Sequence, residues 1–215
     1  MKIRLQLTLK AVPALCLLLP LVAGSPLAAA TALDRYVNAP DPAYRHELVE
    51  NHTGEAGTTY LIKFTSQSWL TAAEVNHTNW WHWLIIHRPK EVTSDTALLF
   101  ITGGNNKDGK RPNPDETLTR IANDTGSVVA QLRQVPNQPL IFHGDGKERV
   151  EDDLIAYGWD RFLRGGREEW LARFPMTKSA VRAMDTITAF LGDAGRGSLK
   201  VDKFVVAGGS KRGWT

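Results

Sequence analysis

The sequence has one cysteine, and Cys16 lies inside the apolar leader. Once that leader is removed, no disulfide, thiol nucleophile or thiolate metal site is open to the chain. No run after the leader is long and apolar enough to cross a bilayer. Nor is there a charge excess. Lys2, Arg4 and Lys10 are three of the 26 basic residues, and without them basic and acidic residues balance at 23 each. The basic character of the whole chain therefore belongs to the leader and points to no nucleic-acid or membrane-surface partner. His46, His77, His82, His87 and His143 show no His-x-His or His-Glu-x-x-His spacing, so neither a metal nor another cofactor is expected.

What is present starts with the leader itself. Three basic residues, the apolar run 11–23 and the small residues Ala28, Ala29, Ala30 and Ala32 form a secretory signal, cleaved after Ala30 or Ala32. A periplasmic or secreted location follows as the expectation. Residues 31–57 are polar and carry the Pro40-Asp41-Pro42 punctuation, which predicts an extended arm before a domain over 58–215.

The domain alternates. Thr58 to Trp69 alternates as an antiparallel strand with one wet face would, and Trp80 to Pro89, ended by a proline, reads as the second strand of the pair. Thr96 to Thr102 is continuously apolar, as a strand covered on both faces would be. A helix over Asp115 to Asp124 precedes a strand candidate at Ser127 to Val135, and a further helix is expected over Leu154 to Leu163. An amphipathic helix over Ser179 to Leu191 then leads to a buried strand, Val201 to Ala207. Antiparallel strands feeding a mostly parallel sheet with helices on both faces make an α/β-hydrolase-like fold.

The chemistry sits at the end of that last strand, in Gly208-Gly209-Ser210-Lys211-Arg212-Gly213. A serine at the tip of a tight strand-to-helix turn has its hydroxyl pushed out of the sheet, and small neighbours permit the turn. Ser210 is the candidate nucleophile, with an ordinary loop serine as the alternative. Position 212 departs from the commoner Gly-x-Ser-x-Gly form, and Gly213 is the candidate for the close-packing role. Oxyanion donors are expected from the Lys211 N–H and from Gly103, Gly104 or Asn105 in the loop after the third strand. The Lys211 and Arg212 side chains either bind an acidic substrate group or cap a helix start. The acidic cluster Asp145, Glu148, Glu151, Asp152 and Asp153 reads as a solvated helix start favoured by the dipole. Trp80, Trp81 and Trp83 read as packing on the sheet.

In such an arrangement the acid and the histidine follow the serine in chain order. The chain stops at Thr215, which reads as an incomplete domain, truncated after the nucleophile turn and inactive by itself. A peptide or an ester is the expected substrate class.

The segments LDRYV (33–37), LLFITGGNN (98–106), QVPNQPLIF (134–142), EDDLIAYGWDRFL (151–163), WLARFPMTKSAVRAMDTI (170–187) and VAGGSKRGWT (206–215) resemble the PhoPQ-activated pathogenicity-related protein family. That resemblance implies an exported, mainly bacterial protein with an α/β-hydrolase-like fold and a further C-terminal portion. It also implies a link, in some members, to resisting host antimicrobial peptides, and a family serine that maps onto Ser210. A non-catalytic peptide-binding protein on a hydrolase scaffold is the rival reading.

Overall fold

The computed structural model describes residues 29–107 and 109–215. The expected signal therefore lies outside the described residues, apart from Ala29 and Ala30. Among the described residues no helix is long and apolar enough to cross a membrane.

The extended arm expected over 31–57 is instead a helix and a strand. Helix α1 (Ala32–Asn38) starts at a capping box, in which the Thr31 hydroxyl accepts from Asp34 N–H and the Asp34 carboxylate accepts from Thr31 N–H. Strand β1 (Arg45–Gly54) then pairs antiparallel with β2 (Gly57–Ser68). Its polarity hid it from a pattern search: it is an edge strand, exposed along its length except at Val49.

Strands β3 (Asn79–Pro89) and β4 (Thr96–Ile101) follow, then helix α2 (Glu116–Thr125) and strand β5 (Val129–Leu132). A two-stranded ribbon of β6 (Leu140–Ile141) and β7 (Glu148–Arg149) leads into helices α3 (Glu151–Leu163) and α4 (Arg173–Gly192). Strand β8 (Lys203–Gly208) ends in a 3-10 turn, Ser210–Arg212. Helix α4 begins earlier than its apolar spacing suggests, because Pro175 sits in the first turn, where its missing N–H costs nothing.

The six-stranded sheet has the order β1-β2-β3-β5-β4-β8. β2, β5, β4 and β8 run in one direction, and β1 and β3 run against them. The insertion of β5 between β3 and β4 is a strand exchange that leaves β4 and β8 side by side, so their C-terminal ends open at one edge. With helices on both faces, this is an α/β-hydrolase-like fold. α4 and α3 pack on the face formed by Tyr60, Ile62, Phe64, Leu84 and Ile86, and α2 covers Leu98, Phe100 and Val129 on the other. β4 has one wholly buried face, Ala97, Leu99 and Ile101, and one half-buried face rather than two buried ones. β8, expected to be buried, lies at the sheet edge with Val205 and Val206 both exposed, since β4 is its one neighbour among the described residues.

A polar network fixes α4 on the sheet. His82 is fully buried on β3, with Nδ1 against the Arg133 carbonyl at 2.9 Å and Nε2 against the Ser66 and Ser179 hydroxyls at 3.0 and 3.1 Å. Gln67 donates to the Pro175 carbonyl and to Ser179, and accepts from the Tyr36 hydroxyl of α1. Burial pushes the His82 pKa down to about 4, against the hydrogen bond to the Arg133 carbonyl. The unfolded chain binds the His82 proton first, so this residue's contribution is complete above about pH 6.5 and is lost as the pH falls toward 4. The expected loss is about 2 to 3 kcal/mol between pH 7.5 and 4.5. Denaturant melts across that range, compared with His82→Gln, measure it; an identical decline in both proteins would remove His82 as its source.

Candidate active site

Ser210 opens the 3-10 turn that follows β8, and its backbone is left-handed, with φ 53°. A side chain in that region carries a steric cost of about 1–2 kcal/mol, so the surrounding turn must hold it there. Two glycines do so. A Cβ at Gly208 would lie 2.8 Å from the backbone carbon and oxygen of Arg212, and one at Gly213 would lie 2.6 Å from the Gly208 carbonyl. Gly209, in ordinary extended backbone, has open space around it. The close-packing glycine is thus at 213, three residues after the serine.

The Lys211 and Arg212 side chains do not wait for an anionic substrate. The Arg212 guanidinium donates to the Val135 carbonyl at 2.7 Å and to Glu151 Oε1 at 2.6 Å. Lys211 Nζ lies 2.8 Å from Glu151 Oε2 and 3.3 Å from Asp152. Both cations are largely buried, at 14% and 11% side-chain exposure. Glu151 is therefore not the solvated helix start expected from sequence. It sits at the first position of α3 with φ 53°, its N–H donating to the Gln138 side-chain carbonyl at 2.6 Å and its Oε1 accepting from the Gln138 amide. Partial burial raises its pKa, but hydrogen bonds from Arg212, Lys211 and Gln138 outweigh that and hold it at about 2. The brace is fully ionised above about pH 4.5 and is lost only as the pH falls through about 2.

The loop after β4 is brought to this turn from the other side. The Arg212 guanidinium packs against Gly103 so closely that a Cβ there would collide with it. Gly104, with φ 150°, leaves room for Gln134, whose Cγ would be 2.9 Å from an added Cβ. Gln134 is itself left-handed, with φ 63°; its amide donates to the Asn105 carbonyl and its carbonyl accepts from Trp83 N–H. Asn105 closes a local turn by accepting from Lys107 N–H at 2.7 Å. Gly103 thus touches the turn that carries Ser210 and Lys211 through the Arg212 side chain, while Gly104 and Asn105 pack on Gln134.

Sequence reasoning missed Gln134, Gln138 and Glu151 as parts of this assembly. The available signal was the density of amides in QVPNQP, at positions now found buried. Trp80 lies in the core as expected, while Trp81 and Trp83 stack edge to face on the opposite sheet face. Among the described residues no three His, Cys, Asp or Glu side chains converge as a metal site.

The glycine geometry separates neighbouring substitutions. Gly208→Ala and Gly213→Ala should each lose about 1–3 kcal/mol from forced overlap with backbone, while Gly209→Ala should stay within about 0.5 kcal/mol. Thermal melts of the three variants test this ordering, and equal losses at 208 and 209 would contradict it.

The model of the PhoPQ-activated pathogenicity-related protein family matches residues 33–215. Autocrine proliferation repressor protein A of Dictyostelium discoideum is 44% identical over 187 residues, covering 86% of this chain and 37% of that protein. The chain thus spans little more than a third of that relative's length. Among solved structures, two glucuronoyl esterase chains from Solibacter usitatus align with TM-scores of 0.45 and 0.39, at 16% and 13% identity. Each alignment covers 81% of this chain and 47% of the other.

Proposed function

The chain belongs to the PhoPQ-activated pathogenicity-related protein family, and from that premise we propose that it carries the nucleophile and oxyanion portion of an exported serine hydrolase acting on esters or peptides. The observation that supports this most is Ser210 itself: a left-handed serine between a parallel strand and a 3-10 turn, with glycines required at 208 and 213. Backbone strain of this kind clusters where a side chain must be presented for chemistry.

In this reading Ser210 Oγ attacks the substrate carbonyl carbon while a histidine takes its proton. The Lys211 N–H and an N–H from the Gly103 to Asn105 loop receive the oxyanion, each donor contributing about 10²–10³-fold in rate. His82 is not that base, because its Nε2 is held by Ser66 and Ser179 in the core. The proposal places the acid and the histidine in sequence beyond Thr215, in the order serine, acid, histidine. The covered share of the Dictyostelium relative, 37%, is consistent with a longer protein. By itself the present chain is then expected to be inactive. Export, and a link to antimicrobial-peptide resistance, enter the proposal from residues 1–30 and from the family resemblance.

Treatment of the full-length protein with a fluorophosphonate probe should label Ser210. Ser210→Ala should abolish labelling and reduce ester hydrolysis by about 10⁴–10⁶-fold. A folded full-length protein that neither labels nor hydrolyses would favour a non-catalytic binding role on the same scaffold.

A further inference from the structure

Next to the proposed oxyanion loop lies a cleft of about 350 Å³, whose walls include Gly104, Asn105, Trp83, Arg133 and Gln134. Its rim is completed by Lys110, Arg111 and Pro112. Its chemistry is one-sided. Arg133 is half-buried, and no carboxylate among the described residues pairs with its guanidinium. Arg111 is the partner of Glu50, at 3.2 Å, which belongs to the adjoining cleft over β1 and β2. No described aspartate or glutamate lines the space. A pocket whose guanidinium has no carboxylate partner among the described residues suits a ligand that brings acceptors and negative charge. Two of its walls, Gly104 and Asn105, belong to the loop proposed above to supply an oxyanion donor, and in that reading whatever fills the cleft lies beside the loop.

We propose that this cleft is a subsite for a carboxylate carried on the acyl side of the substrate, with Arg133 as the residue that selects it. The substrate class becomes a dicarboxylic monoester, or a peptide with an acidic acyl residue. This rests on the serine-hydrolase reading for its position relative to the chemistry, but anion binding in the cleft does not depend on turnover. Arg133 has the task rather than Lys211 or Arg212 because those two are neutralised by Glu151 and Asp152, whereas no described carboxylate pairs with Arg133.

The test uses full-length protein and two readouts. In the first, glutarate is titrated by calorimetry into Ser210→Ala protein, with and without Arg133→Gln. Binding should weaken by about tenfold or more in Arg133→Gln, as expected for loss of a charge-assisted hydrogen bond, and Arg133→Lys should recover part of it. In the second, kcat/KM is measured for mono-4-nitrophenyl glutarate and for the uncharged 4-nitrophenyl pentanoate. The ratio of the two should favour the anionic ester and fall about tenfold or more in Arg133→Gln. Melting temperatures of both Arg133 variants within a few degrees of wild type certify the fold. If both esters are hydrolysed with a ratio that Arg133→Gln leaves unaltered, and glutarate does not bind, the subsite is overturned while the hydrolase reading stands. If glutarate binds in an Arg133-dependent way but neither ester is turned over, the subsite stands and the hydrolase reading fails.

Discussion

The carboxylate of Glu151 takes Arg212 and Gln138 on one oxygen, each at 2.6 Å, and Lys211 on the other at 2.8 Å. It does so from the first position of α3, where the helix dipole favours an acid. Lys211 and Arg212 are too enclosed to be left without counter-charge, and an uncompensated buried cation costs more than its ion pair gains. The brace therefore constrains three separate pieces of chain at once: the turn after β8, the start of α3 and, through the guanidinium packed on Gly103, the loop after β4. What the sheet brings near, this contact holds in register.

The strain in the molecule is distributed accordingly. Five described non-glycine residues are left-handed, and Gln134, Glu151 and Ser210 are three of them. Together they carry a conformational cost of about 3–6 kcal/mol. Each is held by neighbours that also belong to the assembly: Gln134 by Trp83 N–H and the Asn105 carbonyl, Glu151 by two cations and Gln138, and Ser210 by the glycine pair. Elsewhere local rules are mostly kept, with a capping box on α1, an Asp115 cap and a left-handed Gly126 closing α2, and an interior whose buried hydroxyls and amides find partners around His82. Local rules broken together around one point are the pattern of a functional site.

The strands and helices were legible because their signals are local. Alternation in β2, the apolar run of β3, continuous apolarity in β4 and helical spacing in α4 each arise within a dozen residues. The wet face expected of β2 is not there: both faces of β2 and β3 are largely buried, with Lys63 the exposed residue inside β2. The Gly-Gly-Ser turn was legible for the same reason. β1 was not, because an edge strand that buries little has no hydrophobic pattern to read. Exposure of β8 was not legible either, because apolarity reports what a strand can bury and not what lies beside it. The brace escaped for a different reason: Glu151 and Arg212 are 61 residues apart, and Val135 and Arg212 are 77 apart. An acidic run at a helix start has a sufficient local explanation, so nothing in the run itself announces a distant partner. The amides of Gln134 and Gln138 gave only a composition signal, since their roles depend on which backbone groups the sheet leaves beside them.

The arginine at position 212, which set this turn apart from the commoner glycine spacing, follows from the pitch of the turn. The chain leaves Ser210 in a 3-10 conformation, with Arg212 N–H donating to the Gly209 carbonyl and Gly213 N–H donating to the Ser210 carbonyl at 2.9 Å. At about three residues per turn, the residue that returns over the end of β8 is the third after the serine. That residue is Gly213, and its missing side chain is what lets the turn close on the Gly208 carbonyl. Position 212 is thereby released from the crowded inner side and directed across the sheet edge toward Val135 and Glu151. A long planar cation fits there because it satisfies a carbonyl and a carboxylate at once, which a lysine's single ammonium does less well in a fixed fork geometry. The tighter turn thus moves the glycine requirement by one residue and turns the vacated position into the anchor that holds the serine's turn against the loop after β4.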